Sequence, residues 1–196
     1  MLQSASIAML LFSLGMSLSP GPVNVAILSS GAAHGVARTL PFVAGATAGF
    51  AVMLSAVGLV LGPILDPRSV VTQCMRWLGT AFILYLSWRI ASATPNPDSA
   101  QKSRLGWWQG AVVQALNPKA WIACASGTAL FAPSGDAASV FTFVLVYGIV
   151  CGLSLTLWAF LGEVVSSFLS TPGRFRAFNV FMGLSMAGSA LFALST

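Results

Sequence analysis

The stretch Ser19-Pro20-Gly21-Pro22-Val23-Asn24 interrupts an apolar segment that carries no charge from Met1 to Ala33. Each proline removes a backbone donor and crowds the preceding turn, so an unbroken helix cannot pass through this stretch. In a bilayer the freed carbonyl groups find no water, and such a break is tolerated only inside protein or beside a polar cavity. The sequence therefore predicts a helix break that belongs to a site.

The composition is that of an integral membrane protein. The chain of 196 residues is 57% hydrophobic and 7% charged, and its mean hydropathy is +0.87, whereas soluble domains are about one quarter charged. At about 20 apolar residues per span, we predict that residues 1–196 form a single transmembrane domain with six spanning helices. The net charge of +5 comes from basic residues scattered at segment ends, which favours a topology signal over nucleic-acid binding.

Six apolar segments are predicted to be transmembrane helices, which makes the fold an all-α membrane protein. Proline breaks interrupt the first segment at residues 19–24 and the fourth at Leu116-Asn117-Pro118-Lys119. A capping residue followed by proline predicts helix starts at Asp66-Pro67 and Thr171-Pro172. The segments cover residues 4–30, 40–62, 70–91, 107–131, 140–162 and 178–194.

Three features recur in the same order in both halves of the chain. Each half has a proline break in its first segment, a Gly-x-x-x-Gly pair in its second and a cap-proline pair before its third, about 100 residues apart. The glycine pairs are Gly45 with Gly49 and Gly148 with Gly152. Because each half has an odd number of spans, we predict two inverted three-helix repeats, approximately residues 1–93 and 106–196.

The basic residues agree with this topology. If the N-terminus and the C-terminus are both outside, six basic residues lie on the inner side and two on the outer side, as the positive-inside rule requires. Lys119 belongs to neither side. The inner residues are Arg38, Arg89, Lys102, Arg104, Arg174 and Arg176, and the outer residues are Arg68 and Arg76.

The two breaks are predicted to meet near the middle of the membrane and to form a substrate site. Free N–H groups at the start of a half-helix favour anions. Lys119 adds a full positive charge, which indicates function when it lies inside a membrane. These groups suit a small ligand with a carboxylate. The predicted substrate-binding residues are Pro20, Gly21, Pro22, Asn24, Gln114, Asn117, Pro118 and Lys119.

Simpler interpretations of these residues stay open at this point. The prolines would be packing kinks, Lys119 would reach the interface or pair with a carbonyl, and Gln114 would make only an interhelical hydrogen bond. The glycine pairs serve either a homodimer or packing within one chain. We expect no enzyme activity, cofactor or metal, because the sequence has no H-E-x-x-H, no Gly-x-Gly-x-x-Gly after a strand and no clustered carboxylates. The three cysteines are interpreted as small apolar residues.

The sequence resembles the LysE/RhtB family of amino-acid exporters over nearly its whole length. Pro20-Gly21-Pro22 together with the later Asn117-Pro118-Lys119 is a fairly specific combination. The cysteine/O-acetylserine exporter branch is the most similar, on the residues 28–30, 34–35 and 49–50. The resemblance also rests on Ala44-Gly45, Asp66-Pro67, the run from Trp77 to Arg89, Gly110 and Ala120.

The resemblance implies export of amino acids or close derivatives across the bacterial cytoplasmic (inner) membrane, driven by the proton motive force. An amino acid and protons are then the expected small-molecule partners. Many family members carry an acidic residue just after the second glycine of the first pair, whereas this sequence has Phe50 there. The group that carries the coupling proton is therefore open. A passive channel for small solutes and a non-transporting membrane scaffold are the alternative functions.

Overall fold

The computed structural model describes residues 2–61, 70–92, 106–169 and 171–195, and the regular elements in these ranges are helices. A π-helical turn, Val57–Leu61, continues α3. The bounds of α4, and those of α5 and α6 taken together, match the predicted third and fourth segments. The helices are α1 (Leu2–Leu18), α2 (Pro22–His34), α3 (Val36–Ala56), α4 (Val70–Ala91), α5 (Trp107–Ala115), α6 (Pro118–Phe131), α7 (Ala137–Ser166) and α8 (Pro172–Ser195).

The first predicted break separates α1 from α2. The first helix ends at Leu18, the second begins at Pro22, and the two meet at a bend of 60°. Pro22 occupies the first position of α2, where its missing N–H is not needed. Gly21 precedes it in an extended conformation and gives α2 no side-chain cap. The start of α2 therefore keeps N–H groups that no capping side chain satisfies.

The second predicted break separates α5 from α6. Asn117 lies between the helices, and its Oδ1 accepts a hydrogen bond of 3.2 Å from the backbone N–H of Lys119. This bond caps the start of α6. The indole N–H of Trp121 donates to the carbonyl of Ala115 at 2.7 Å, which satisfies one of the carbonyl groups left free at the end of α5.

Glycines bring α3 and α5 into direct backbone contact. A Cβ atom at Gly45 would overlap the carbonyl oxygen of Trp107, and one at Gly110 would overlap the carbonyl oxygen of Phe42. Gly49 continues the same seam against α5. The first glycine pair therefore packs two helices of one chain, which is one of the two roles that the sequence left open.

The second glycine pair does not repeat this role. The helices α2 and α7 do pack closely, but through Gly31 and Gly162, each of which lies against the backbone of the other helix. A Cβ atom at Gly148 would meet nothing within 4 Å, and one at Gly152 would make ordinary contact with a threonine side chain. The Gly-x-x-x-Gly motif thus occurs twice in the sequence, but only its first copy brings two helix backbones into contact.

Two apolar clusters hold the helices together. The larger one joins residues of α2, α3, α5, α6 and α7, and within it the rings of Phe50 and Tyr147 lie with their centroids 4.5 Å apart. The smaller one joins Val25, Ile83 and Met186 of α2, α4 and α8. The larger cluster includes Val23 and Ala120, which lie in the first turns of α2 and α6, just after the two breaks.

The predicted turn before α7 ends in a capped helix start. Oδ1 of Asp136 accepts a 2.9 Å hydrogen bond from the N–H of Ser139, and Oδ2 accepts one from the hydroxyl of Ser134. These bonds, with Ser134 the larger cause, lower the pKa of the Asp136 carboxyl to about 2. The carboxylate is therefore ionised throughout the physiological range, and it stabilises the start of α7.

The start of α8 also follows its sequence. The hydroxyl oxygen of Thr171 accepts a 3.4 Å hydrogen bond from the N–H of Arg174, and Pro172 is the first helical residue. The helix thus begins earlier than the sixth predicted segment. The predicted start at Asp66-Pro67 lies outside the described residues.

Two of the described helices are long and apolar enough to cross a membrane. They are Val36–Val60, with a mean hydropathy of 2.0, and Ala137–Ser166, with a mean hydropathy of 2.2. The bent pair Ser6–Leu18 and Pro22–His34 makes a third crossing if it is counted as one span. By this measure the six spans expected from the sequence are not all identified, and the six-span arrangement stays a prediction.

Candidate functional site

The two helix breaks are adjacent in the fold. Lys119 lies in the first turn of α6, and its Nζ donates a hydrogen bond to the carbonyl oxygen of Ser19 between α1 and α2. The same side chain lies against Gly21, where a Cβ atom would come within 2.9 Å of Lys119 Cδ and 3.3 Å of Nζ. The two breaks therefore meet in the fold, as expected, and their position at the middle of the membrane stays a prediction.

The ammonium group of Lys119 is hydrogen-bonded to the backbone carbonyl of Ser19 and not to an acidic side chain. The simpler interpretation, pairing with a backbone carbonyl, describes the contact seen here. The acidic side chains in the described part of the chain are committed elsewhere, because Asp136 caps α7 and Glu163 accepts a hydrogen bond from the N–H of Val36. The half-buried ammonium group therefore retains the capacity to attract an anion.

A cavity of about 30 Å³, partly open to the outside, lies beside this contact. A cavity of this volume has room for about two water molecules. Residues of α1, α2, α3, α5, α6 and α7 contribute to its wall. The lining residues are Met16, Ser17, Val23, Asn24, Phe50, Gln114, Asn117, Lys119, Ala120, Ala123, Tyr147, Cys151 and Leu155.

Three amides in the cavity wall differ in how they are hydrogen-bonded. Nδ2 of Asn24 donates to the carbonyl of Ser17 at 2.7 Å, and Oδ1 of Asn117 caps α6. Gln114 is 5% exposed, and its Oε1 has no hydrogen-bond partner. Asn24 and Asn117 thus already serve the geometry of the two breaks, whereas Gln114 keeps an unused acceptor.

Half of the eight predicted binding residues line the cavity, and the other half shape the helix breaks beside it. Pro22 and Pro118 begin α2 and α6, and Gly21 accommodates the lysine side chain. Pro20 is exposed. The predicted residues in the cavity wall are Asn24, Gln114, Asn117 and Lys119.

The contribution of α7 to the cavity was not predicted from the sequence. Tyr147 and Cys151 lie one helical turn apart on α7, and both line the cavity together with Ser17 of α1. One signal was present: Tyr147 is one of only two tyrosines in the chain, and it stands in the middle of a charge-free segment. A phenol at that depth needs a polar partner.

Phe50 also lines the cavity, where it packs on the ring of Tyr147. This is the position at which, by the resemblance, many family members carry an acid. A carboxylate there would share the cavity with Lys119, and Phe50 replaces it with an apolar wall. The chemistry that remains is a cation, several amides and an apolar surface, which fits a small molecule with a carboxylate and a compact side chain.

Comparison with known proteins finds one family and several similar proteins of the same name. A family model described as "LysE type translocator" matches residues 14–196. A protein of Klebsiella pneumoniae named cysteine/O-acetylserine efflux protein is 32% identical over 112 residues, which are 57% of each chain. Proteins of the same name from Salmonella typhimurium and Escherichia coli O9:H4 are 33% and 32% identical over 110 residues, or 55% of each chain.

The match thus spans a little more than half the length of these curated relatives. No solved structure matches the chain significantly.

Proposed function

The chain belongs to the LysE family of translocators, and on this basis we propose that it exports amino acids or close derivatives from the bacterial cytoplasm. The observation that carries the proposal is the cavity in which Lys119 joins the two helix breaks. A transporter needs a polar site at the centre of an apolar fold, and broken helices supply one.

The substrate carboxylate is bound by Lys119 and by the start of α2. The lysine supplies a full positive charge, and Gly21 leaves the first N–H groups of α2 without a side-chain cap. Both favour an anion. The start of α6 contributes less, because the Asn117 side chain already caps it. The relatives' names make cysteine and O-acetylserine the first substrates to test.

The proposed architecture has six spans in two inverted repeats within one domain, residues 1–93 and 106–196. The order of elements supports it: a broken helix pair, a long apolar helix and a further helix occur twice. Six basic residues against two support both termini being outside the inner membrane. Alternating access then moves the two repeats around the fixed site.

Export is proposed to be coupled to protons. The titratable groups in the cavity wall are Lys119, Tyr147 and Cys151, whereas the described acids, Asp136 and Glu163, make capping bonds elsewhere. Coupling is tested by adding an uncoupler during export against a gradient. The accumulation outside is expected to collapse when the uncoupler is added, and continued accumulation would exclude coupling. Equilibration without accumulation before the uncoupler is added would favour the passive channel.

The main experiment is overexpression in a bacterium followed by profiling of amino acids in the medium. Lys119→Ala is expected to lower export at least about tenfold, since a hydrogen bond to a charged group contributes about 1.5–3 kcal/mol and 1.4 kcal/mol is about tenfold. Lys102→Ala replaces the only other lysine of the chain and is the matched control. Normal export by Lys119→Ala would refute the binding role of Lys119. No flux of any solute in reconstituted vesicles would favour a scaffold.

A further inference from the structure

Gln114 carries a hydrogen-bond acceptor that the fold does not use. The residue is 5% exposed, lines the cavity, and leaves its Oε1 without a partner. A buried amide oxygen in this state is costly, and native proteins rarely keep one without a reason. The neighbouring amides differ, because Asn24 donates to a backbone carbonyl and Asn117 caps a helix. Among the lining amides, Gln114 is therefore the one whose acceptor oxygen is both buried and without a partner.

The position of Gln114 in its helix favours a cation. It lies in the last turn of α5, which ends at Ala115. The C-terminal end of a helix carries a partial negative charge, and broken transporter helices use such ends to hold cationic groups.

The corresponding end of α1 is already occupied. The carbonyl of Ser19, just after α1, holds the ammonium group of Lys119. Of the two helix ends at the breaks, the end of α5 is thus the one without a cation. The indole of Trp121 already bonds the Ala115 carbonyl there, so an arriving ammonium group would meet the partial negative charge of the helix end and the unpartnered oxygen of Gln114.

We infer that Gln114 Oε1 accepts a hydrogen bond from the ammonium group of the substrate, so that the cavity recognises a zwitterion. The ammonium group then lies towards the end of α5, and the carboxylate lies towards Lys119 and the start of α2. This inference rests on the proposed function, export of amino acids. It predicts that the protein discriminates against acids that have the same side chain but no amino group.

The test compares L-cysteine with 3-mercaptopropionate, its deaminated analogue, in proteoliposomes under reducing conditions. The measured quantity is the half-saturation concentration of the analogue, obtained by competition, divided by that of cysteine. Gln114→Met keeps the length of the side chain and removes the acceptor. Its half-saturation concentration for cysteine is expected to rise about tenfold or more, with little change for the analogue.

Two further variants make the result specific. Gln114→Glu keeps an acceptor oxygen at this position, and its ratio is expected to stay at or above that of the wild type. Asn179→Leu removes another buried amide with an unpartnered atom, on α8 and outside the cavity lining. It is expected to leave the ratio unchanged.

The outcomes separate the inference from the proposal beneath it. If Gln114→Met transports normally and its ratio is unchanged, the inference alone is refuted. The inference is also refuted if the ratio of Gln114→Glu falls as far as the ratio expected for Gln114→Met. The second result keeps the inference testable if the methionine variant does not accumulate. Wild-type protein that transports neither cysteine nor any other amino acid refutes the proposed function, and the inference with it.

Discussion

Replacing Gly21 with alanine is expected to impair transport and to leave the fold intact. The added Cβ atom would lie 2.9 Å from Cδ and 3.3 Å from Nζ of Lys119. Ordinary contact begins at 3.4 Å, so the lysine side chain must move by at least about half an ångström. The displaced atoms belong to the flexible end of a side chain, so the backbone need not shift.

The expected size of the effect follows from what Lys119 does in the structure. Its ammonium group is bonded to the Ser19 carbonyl and faces the cavity. A hydrogen bond to a charged group contributes about 1.5–3 kcal/mol, which corresponds to about 10- to 150-fold in binding if it is lost completely. Partial displacement should therefore raise the half-saturation concentration about tenfold. Stability should change by less than about 1 kcal/mol, because any residue adopts the extended conformation of Gly21 (φ −157°).

The assay is uptake of radiolabelled amino acid into proteoliposomes, with the thermal stability of the same preparation measured in detergent. Gly15→Ala is the matched control, because it lies on α1 near the break and its Cβ atom would meet nothing within 4 Å. The control should transport like the wild type.

A double-mutant cycle tests the cause of the effect. If the alanine acts by displacing Lys119, adding Gly21→Ala to Lys119→Ala should have no further effect on transport. Independent effects of the two changes would refute the reasoning. So would wild-type kinetics in a Gly21→Ala protein of normal stability.

Three further predictions concern packing, pH and access. Gly110→Ala should lower the unfolding temperature by several degrees, because its Cβ atom would overlap the α3 backbone and overpacking costs about 1–3 kcal/mol. Gly148→Ala should leave the unfolding temperature unchanged, because its Cβ atom would meet nothing within 4 Å. Equal unfolding temperatures for the two variants would contradict the helix contact. Asp136→Ala should unfold at a lower temperature than the wild type above about pH 4. That difference should vanish as the pH falls to about 2, the pKa of the folded carboxyl; a constant difference would show that ionisation is irrelevant. Alkylation of Cys151 by a small reagent, in a variant without the exposed Cys74, should slow in the presence of substrate; an unchanged rate at saturation would argue against the cavity as the binding site.

Local chemistry explains what could be predicted of the fold. Proline cannot donate a backbone hydrogen bond, so the breaks before Pro22 and Pro118 follow from the residues themselves. A side-chain oxygen beside a free helix start gives the capped beginnings at Asp136 and Thr171 in the same way. These effects act within a few residues, and a sequence contains all the information they need.

The candidate site was predictable only where a residue is unusual for a membrane. Lys119, Asn24 and Gln114 stand out because charged and amide groups are costly in an apolar segment, and they line the cavity. Cys151 and Phe50 do not stand out, because such residues are also common where helices only pack. Their contributions from α7 and α3 were therefore missed, whereas Tyr147 of α7 did carry a signal as one of two tyrosines in the chain.

The sequence by itself determined where the helices break and which polar groups lie near the breaks. Only the tertiary structure decided that the ammonium group of Lys119 meets the carbonyl of Ser19, and that Gly45 packs against α5 while Gly148 packs against nothing. The physical reason is that a helix in lipid is apolar on every side, so its sequence has no polar stripe to show which face is turned inward. That face is chosen by how closely the backbones can approach, which depends on residues far away in the chain.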